Sequence, residues 1–359
     1  MLRSFTLKNF RCFQNLTLEP LERVNLIAGK NNVGKTSLLE AIFIYINPSN
    51  PESLFQLDRL RGIVRGSEFK NVEEVRGFFF GQDIDKVIEL SSAEKNKLQP
   101  SLKIYFAQLE ESLMFQVSRF DDTSPLKPNE SLTTEDRLFD TLVLDYQDPS
   151  SQASSSRTTV RADGRLLRGS RRQKFPLGIY LTTSTRSPRE DAERFSNLEL
   201  VGRQDEVLET LRILEPRLRR LTLLLVEREP IIHGDIGINE LVPLPLMGEG
   251  IGRLLSIILA IANAKGGTIL IDEIENGLHY SVLTDVWKAI ADAARRAEAQ
   301  IFATTHSQEC IRAAHKAFET SDKYDFRYHR LERVKDEIRA VTYDQETLAT
   351  SDEMNLEMR

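Results

Sequence analysis

Residues that could bind phosphate stand close together near the start of the chain. Gly29, Gly34, Lys35 and Thr36 fit the pattern G-x-x-x-x-G-K-[ST]. The two glycines let the backbone curl so that successive N–H groups point at phosphate oxygens. The lysine adds a positive charge near the β- and γ-phosphates, and the threonine hydroxyl can bind Mg²⁺. The predicted ATP and Mg²⁺ site therefore includes the following residues: Gly29, Asn31, Asn32, Val33, Gly34, Lys35, Thr36 and Ser37.

A second set of chemical groups lies far along the chain. Asp272 and Glu273 follow the apolar run 268–271, and His306 follows the apolar run that begins at residue 301. An acid at the end of a buried strand can hold Mg²⁺, and the next acid can polarise an attacking water. A neutral imidazole can hydrogen-bond a γ-phosphate. We predict that Thr36 and Asp272 hold the metal and that Lys35, Glu273 and His306 are catalytic. The alternatives are two surface acids and a structural histidine.

Strands and helices predicted from the residue pattern would position these groups. Residues 24–28 are typical of a buried strand, and residues 37–44 of a helix that ends near Asn47 because Pro48 follows. Residues 281–298 have apolar positions at helical spacing, and an apolar helix is predicted over 254–264. Ser187, Pro188 and Glu190 indicate a helix start, and helical sequence continues to about residue 228 with a break near residue 216.

The first half of the chain is rich in strand-like sequence. Residues 2–28 alternate as strands do, and after helical pieces at 52–63 and 72–80 an antiparallel sheet is predicted from further runs: 87–90, 102–106, 113–117 and 141–146. A strand at 177–182 and a final hairpin over 328–333 and 338–344 complete the pattern.

One stretch of the chain is strongly basic. It contains Arg157, Arg161, Arg165, Arg168, Arg171, Arg172 and Lys174. The favoured interpretation is a solvated hairpin, and the alternative is contact with the phosphates of DNA.

The composition limits the classes of protein that the chain can be. Its 359 residues carry 48 basic and 54 acidic side chains, which gives a net charge of -6 and excludes a generally basic coat for nucleic acid. Only 2 cysteines are present, which suits a reducing cytosol. We predict a cytoplasmic protein with neither a leader peptide nor a membrane-spanning segment.

The order of these motifs resembles a known group. The opening Asn9-Phe10-Arg11-Cys12-Phe13, the phosphate loop, the paired acids and the histidine are similar to the SMC/RecF/OLD branch of ABC-type ATPases. The turn Gly248-Glu249-Gly250, which precedes an apolar helix, resembles the signature of stand-alone OLD-like AAA-type ATPases that lack a Toprim domain. The transporter-type signature has serine and a second glycine where this chain has Met247 and Glu249.

The resemblance implies an α/β fold of the ABC-type ATPase head. The implied head has a mixed sheet with flanking helices, an antiparallel β lobe and a small helical arm. We expect a single domain, 1–359. Its parts are a nucleotide-binding lobe with Walker A (1–48), a β-rich insertion (49–175), a helical arm (176–240), one lobe that carries the signature, Walker B and the switch histidine (241–345), and a tail (346–359).

The resemblance also implies a homodimer that holds ATP between two heads. In such a dimer Gly248 and Gly250 would face the ATP bound by the other copy, and Arg11 would approach the adenosine. A surface arginine in a hairpin is the alternative for Arg11.

Three functions remain open from the sequence. The first is an ATPase subunit of a prokaryotic DNA-directed or anti-phage defence system, which would act with a separate effector protein. The second is a RecF-like repair ATPase that binds DNA directly. The third is a nucleotide-gated scaffold with little turnover.

Overall fold

The fold is known from a computed structural model. It describes residues 1–48, 50, 52–62, 73–93, 100–110, 138–148, 156–161, 166–169, 176–183, 187–354 and 357–358. The predicted strand at 113–117 lies outside these residues, as do Arg165, Arg171, Arg172 and Lys174 of the basic stretch.

A mixed sheet of six strands carries the chemical groups. Its order is β16-β15-β3-β14-β13-β9. The strands are β3 (Val24–Gly29), β9 (Gly178–Leu181), β13 (Thr268–Ile271), β14 (Gln300–Thr304), β15 (Phe326–Val334) and β16 (Glu337–Tyr343). Five neighbouring strands are parallel to one another: β9, β13, β14, β3 and β15. The sixth strand, β16, pairs antiparallel with β15. The carboxyl ends of the parallel strands therefore meet at one edge, where the phosphate loop and both acids begin.

An antiparallel sheet of seven strands forms the β lobe, in the order β2-β1-β4-β5-β6-β7-β8. The strands are β1 (Ser4–Phe10), β2 (Phe13–Leu18), β4 (Ile88–Ala93), β5 (Ser101–Glu110), β6 (Leu138–Gln147), β7 (Ser156–Arg161) and β8 (Leu166–Gly169). The predicted antiparallel sheet is confirmed. The expected division at residue 48 does not follow the sheets, because β1 pairs with β4 and thus joins the first strands to the insertion.

Nine helices flank the sheets in the described part of the chain. They are α1 (Lys35–Ile46), α2 (Glu52–Leu60), α3 (Glu73–Arg76), α4 (Pro188–Glu199), α5 (Gln204–Leu211), α6 (Glu249–Asn263), α7 (Leu283–Arg296), α8 (Gln308–Glu319) and α9 (Gln345–Glu353). The two faces of the mixed sheet are covered differently: α6, α7 and α8 pack in one apolar core with Leu26 and Ile271, whereas α1 packs in the other with Leu270 and Phe302.

The helix that follows the phosphate loop is buried on nearly all sides. Residues 37–45 of α1 are buried, which explains why the sequence there is almost wholly apolar. The helix ends at Ile46, and the Asn47 side chain donates to the Phe43 carbonyl over 2.9 Å. The predicted end near Asn47, ahead of Pro48, is confirmed.

The predicted helix start at residue 187 is also confirmed. The Ser187 side chain accepts a hydrogen bond from the Glu190 N–H, and Pro188 is the first helical residue. The prediction of helix to residue 228 is wrong, however. A short sheet follows α5, with the order β10-β11-β12, made of β10 (Arg220–Val226), β11 (Glu229–Asp235) and β12 (Val242–Pro243).

A tight turn explains why the helix does not continue. Glu227 and Arg228 both have positive φ, 51° and 73°, and they link Val226 to Glu229 as a two-residue hairpin turn. Leu221 and Leu223, two residues apart in β10, both pack against the apolar core that contains α6, α7 and α8. This spacing of two is that of a strand with one buried face and not that of a helix. The arm is thus two helices with a β-hairpin.

No helix in the described ranges is long and apolar enough to cross a membrane.

Candidate functional site

The phosphate loop leaves no space for side chains at its two glycines. A Cβ atom at Gly29, where φ is +142°, would lie 2.5 Å from the Leu331 carbonyl oxygen. A Cβ atom at Gly34, where φ is +95°, would lie 2.6 Å from the Cys12 sulfur. Both positions therefore require glycine, for space as well as for backbone conformation. Of the other predicted loop residues, Asn31 and Asn32 are exposed and Val33 and Ser37 are buried, as given by their solvent exposure.

Lys35 is buried and held across the loop. Its ammonium donates to the carbonyl oxygens of Gly29, at 2.7 Å, and Lys30, at 3.0 Å. Burial lowers the pKa of Lys35 to about 8, against the opposing effect of nearby carboxylates. The charged ammonium is therefore costly in the protein alone, and a phosphate group would compensate it.

Thr36 and Asp272 meet across the sheet as the prediction of a shared metal requires. The threonine hydroxyl lies 3.1 Å from Oδ2 of Asp272, which is only 9% exposed. A hydroxyl and a carboxylate are hard oxygen donors of the kind that Mg²⁺ takes together with phosphate oxygens and waters. The donor set fits Mg²⁺, and the described residues contain no cluster of three or more His, Cys, Asp or Glu that would hold a different metal.

Thr304, at the end of β14, connects the two acids. Its hydroxyl donates to Oδ1 of Asp272 over 2.5 Å and accepts from the backbone N–H of Glu273 over 2.8 Å. Thr304 is fully buried, so these two bonds fix both acids relative to β14. Sequence reasoning missed this residue, although a hydroxyl side chain that ends a buried strand just before His306 is a usable signal.

Glu273 and His306 lie next to each other and face open space. Nε2 of His306 is 3.5 Å from Oε1 of Glu273, and the two side chains are 38% and 43% exposed. Glu273 has a φ of +46°, a conformation that few non-glycine residues adopt. Glu275 accepts a hydrogen bond from the backbone N–H of His306 over 2.8 Å, which fixes the loop after β14. The predicted catalytic pair is thus brought together with its polar ends uncovered.

The signature turn leads directly into α6. Gly248, with φ 114° and ψ 153°, precedes the helix, which begins five residues earlier than the predicted start at residue 254. A Cβ atom at Gly248 would meet nothing within 4 Å, so this position faces open space. At Gly250 a Cβ atom would lie 2.5 Å from the Gly277 carbonyl oxygen, so the turn packs closely against the loop that follows the acids.

Arg253 ties α6 to the Walker B strand. Its guanidinium donates to the backbone oxygens of Thr182, at 2.8 Å, and Asp272, at 2.6 Å. The side chain is buried, so α6 and the ends of β9 and β13 are held as one unit. This residue was also missed, because its partners are backbone atoms far away in the sequence.

Arg11 lies beside the phosphate-loop helix in a buried ion cluster. Its Nε atom is 2.6 Å from Oε2 of Glu40, and its guanidinium lies 4.5 Å from the centre of the Phe78 ring. Arg61 binds the same carboxylate through two hydrogen bonds of 2.5 and 3.0 Å. The structure therefore places Arg11 in an ion triad with Glu40 and Arg61, and its approach to adenosine stays a prediction.

The basic stretch is described only in part. Arg157 and Arg161 lie in β7, and Arg168 lies in β8. Those two strands form the outer end of the β lobe, since β8 is the last strand of the seven.

Comparison with known proteins identifies the family. Residues 24–312 match the family described as "AAA domain, putative AbiEii toxin, Type IV TA system". The chain belongs to this AAA-domain family. A curated relative of this chain is the "ATP/GTP phosphatase" of Helicobacter pylori. The two are 26% identical over 332 residues, which cover 87% of this chain and 86% of the relative. A shorter match joins the chain to the DNA replication and repair protein RecF of Bacillus cytotoxicus, with 32% identity over 97 residues, 26% of each protein.

Solved structures show the same fold for this AAA-domain chain. An SMC head bound to the C-winged helix domain of ScpA is similar with a TM-score of 0.53 over 97% of this chain and 99% of that one, at 13% identity. The SMC head of Pyrococcus furiosus with an extended coiled coil gives a TM-score of 0.52 over 99% of each chain, at 11% identity. The predicted ABC-type, SMC/RecF-like ATPase head is therefore confirmed as the fold.

Proposed function

We propose that this chain hydrolyses ATP with the help of Mg²⁺ and works as an ATP-gated dimer of heads. The observation that carries the proposal is the chain of contacts from Thr36 through Asp272 and Thr304 to Glu273. It brings the proposed metal ligands and the half-exposed Glu273 carboxylate, which lies 3.5 Å from His306, to the carboxyl edge of one sheet beside the proposed phosphate loop. The relative named as an ATP/GTP phosphatase supports hydrolysis of a nucleoside triphosphate.

The proposed chemistry assigns one role to each side chain. Lys35 and the loop N–H groups bind the β- and γ-phosphates, which restores the full charge of the buried lysine. Glu273 accepts a proton from the attacking water, and His306 hydrogen-bonds the γ-phosphate from a position fixed by the Glu275 contact to its backbone. Mg²⁺, when held by Thr36 and Asp272, would neutralise charge on the phosphates.

The open side of the site supports the dimer. Glu273 and His306 are about two-fifths exposed, and Gly248 faces empty space at the start of α6. The first N–H groups of a helix have no partners within the helix and attract anions. A second copy could therefore cover one copy's Glu273 and His306 and present Gly248 and Gly250 to the γ-phosphate.

The test of hydrolysis is the variant Glu273→Gln. We expect ATP binding to persist, while phosphate release falls by about 10²- to 10⁴-fold, the usual contribution of a general base. Turnover that stays within a few-fold of wild type would contradict the assignment of Glu273. A wild-type chain that binds ATP without measurable phosphate release would instead favour the nucleotide-gated scaffold.

For the biological role we propose the ATPase subunit of a prokaryotic defence system that acts with a separate effector. The family description, which names a toxin of a toxin–antitoxin system, supports this direction. The test is a pull-down of tagged Glu273→Gln from its native cell with ATP, with Lys35→Ala as the control. An effector protein that is captured only by Glu273→Gln would support the role. Nucleic acid alone would favour direct action on DNA.

A RecF-like function with direct DNA binding is the second candidate. The partial match to RecF proteins and the basic stretch near β7 and β8 favour it. DNA binding should then weaken steeply with salt and be lost in the double variant Arg171→Glu/Arg172→Glu. Unchanged DNA binding by that variant would exclude this stretch as the contact.

A further inference from the structure

Tyr180 carries a buried hydroxyl group for which the described residues supply no hydrogen-bond partner. The residue stands in β9, and its hydroxyl oxygen is inaccessible to solvent. A buried polar group that lacks a partner is costly in free energy, so native proteins rarely keep one unless a water or an ion binds to it. The hydroxyl therefore indicates a bound molecule at this position.

The pairing of β9 with β13 places this tyrosine on the same face of the sheet as Asp272. Tyr180 is the partner of Leu270, two residues before the acid. The ladder continues past the end of β13, because the Asp272 N–H donates to the Leu181 carbonyl over 2.9 Å. Side chains alternate between the faces of a sheet, so those of Tyr180, Leu270 and Asp272 project to one side. It is the side that α1 covers.

One stripe of α1 lies over the tyrosine and the acid. Thr36, Glu40 and Phe43 are four and three residues apart, which brings them to one face of the helix. Thr36 contacts Asp272 near the start of the helix. Further along, the Phe43 ring lies 5.8 Å from the Tyr180 ring, centre to centre. The tyrosine is therefore held between helix and sheet, in the same layer as the proposed metal ligands.

Charged groups of this layer act on the hydroxyl. Burial raises the pKa of Tyr180 well above its usual value, and the carboxylates of Asp272 and Glu40 raise it further, against the opposing effect of Arg61 and Arg11. Tyr180 is therefore a neutral phenol, which can donate one hydrogen bond and accept others. Asp272 is the charged group with the largest effect, yet no direct hydrogen bond joins these two described residues. Water can bridge two polar groups that are separated in this way.

We propose that Tyr180 positions Mg²⁺ by binding, through its hydroxyl, a water molecule of the ion's hydration shell. The inference rests on the proposed metal site of Thr36 and Asp272. Mg²⁺ dehydrates reluctantly and usually keeps several of its waters in a protein site. A side chain that holds one of these waters restrains the ion as well, as the outer partners of metal ligands do. Tyr180 is thus a positioning residue and takes no part in proton transfer.

The test is the gain in nucleotide affinity that Mg²⁺ produces, which is the ratio of the dissociation constants in EDTA and in Mg²⁺. A nonhydrolysable ATP analogue is the ligand, so turnover plays no part. Tyr180→Phe removes one oxygen atom and keeps the ring against Phe43. We expect this variant to reduce the gain from Mg²⁺ about tenfold, as for the loss of an outer partner of a metal ligand, and to leave the affinity in EDTA unchanged.

The matched control is Tyr45→Phe. Tyr45 is a second buried tyrosine, on α1 itself, and its hydroxyl lies 2.6 Å from the Ser92 hydroxyl and 3.2 Å from the Pro100 carbonyl oxygen. Its loss should lower the unfolding midpoint in denaturant but preserve the full gain from Mg²⁺. Asp272→Asn, which removes a proposed ligand, gives the size of a complete loss of the gain.

Two results would overturn the proposal alone. One is a Tyr180→Phe protein that keeps the wild-type gain from Mg²⁺. The other is an affinity that falls equally in EDTA and in Mg²⁺, which would show that the hydroxyl supports the phosphate loop and not the ion. Failure of the metal site itself gives a different result: the wild type would show no gain from Mg²⁺, Asp272→Asn would change nothing, and the role of Tyr180 would be excluded with it.

Discussion

The phosphate-binding half of the site and the signature turn are built in different ways. Thr36, Asp272 and Thr304 bond to one another inside a single chain, and Asp272 and Thr304 are almost inaccessible to solvent. The signature turn directs Gly248 into open space, although Gly250 is packed tightly against the same chain. The first set of contacts is complete within the chain, whereas the signature turn combines a tightly packed Gly250 with a Gly248 that has open space beside it.

This difference indicates a division of labour. A preformed polar cluster needs no reorganisation to receive phosphate and Mg²⁺, so a single chain should bind nucleotide. In the proposed dimer, the signature turn acts on nucleotide held by the second copy. Variants in the two halves should therefore separate binding from turnover.

The largest effect is expected from Lys35→Ala. Loss of charge-assisted hydrogen bonds to two phosphates should weaken ATP binding about a thousandfold, and turnover should disappear with it. Calorimetry with ATP and Mg²⁺ measures the affinity. The control is Lys30→Ala, an exposed lysine in the same loop that should keep wild-type affinity. If Lys35→Ala still bound ATP normally, the phosphate half would be assigned wrongly.

Gly248→Asp should sharpen the comparison. A side chain at this position is strained, because a φ of 114° is essentially restricted to glycine, and the charge of the aspartate would repel a γ-phosphate. We expect ATP affinity to stay near wild type and turnover to fall about a hundredfold, in line with the loss of a group that stabilises developing charge. Equal loss of binding and turnover would show that the signature acts within its own chain.

Thr304→Val should have a smaller effect, on both stability and turnover. The change keeps the shape of the side chain but removes the hydroxyl, which donates a hydrogen bond to Asp272 and accepts one from the Glu273 N–H. Leaving that N–H without a partner should cost about 1–3 kcal/mol of unfolding free energy, and turnover should fall about tenfold. Denaturant unfolding and phosphate release measure the two.

The matched control for that variant is Thr305→Val. Its hydroxyl accepts a hydrogen bond from the Ser307 N–H and contacts neither acid. Turnover should therefore remain near wild type even if stability falls. A similar loss of turnover in both variants would contradict the specific role of Thr304.

The smallest effect concerns pH. Burial lowers the pKa of Lys35 to about 8 in the free protein, whereas phosphate favours the charged form. Binding must therefore take up a proton above this pH, so ATP affinity is full below about pH 8 and falls about tenfold per pH unit above it. Titrations between pH 7 and 9 at constant ionic strength test this. An affinity that is flat over the range would exclude a lowered pKa for Lys35.

The motif residues could be singled out from the sequence because phosphate chemistry restricts their types and spacing. Glycine at residues 29 and 34, and a strand that ends in Asp272, follow from steric and electrostatic need alone. Thr304 and Arg253 were not predictable in the same way, because each acts on groups that only the folded sheet brings near. Their roles depend on which strands are neighbours, and no local pattern states this.

In the helical arm, by contrast, the local sequence pattern predicted the wrong secondary structure. Residues 220–226 were predicted as helix because leucines and charges there are compatible with either period over a short run. The turn at Glu227 and Arg228 decides the structure, and neither residue is a typical one for positive φ. Register with β11 and contact with the large core outweigh local propensity.

The central claim is that each active site combines the phosphate half of one chain with the signature of another. It is tested most directly by a heterodimer of Lys35→Ala and Gly248→Asp, co-expressed with two different tags and purified through both. In such a dimer one site combines the intact Lys35 of the Gly248→Asp chain with the intact Gly248 of the Lys35→Ala chain, and the other site has neither. We therefore predict about half of wild-type turnover from two chains that are each inactive alone. A heterodimer as inactive as its parents would contradict the claim.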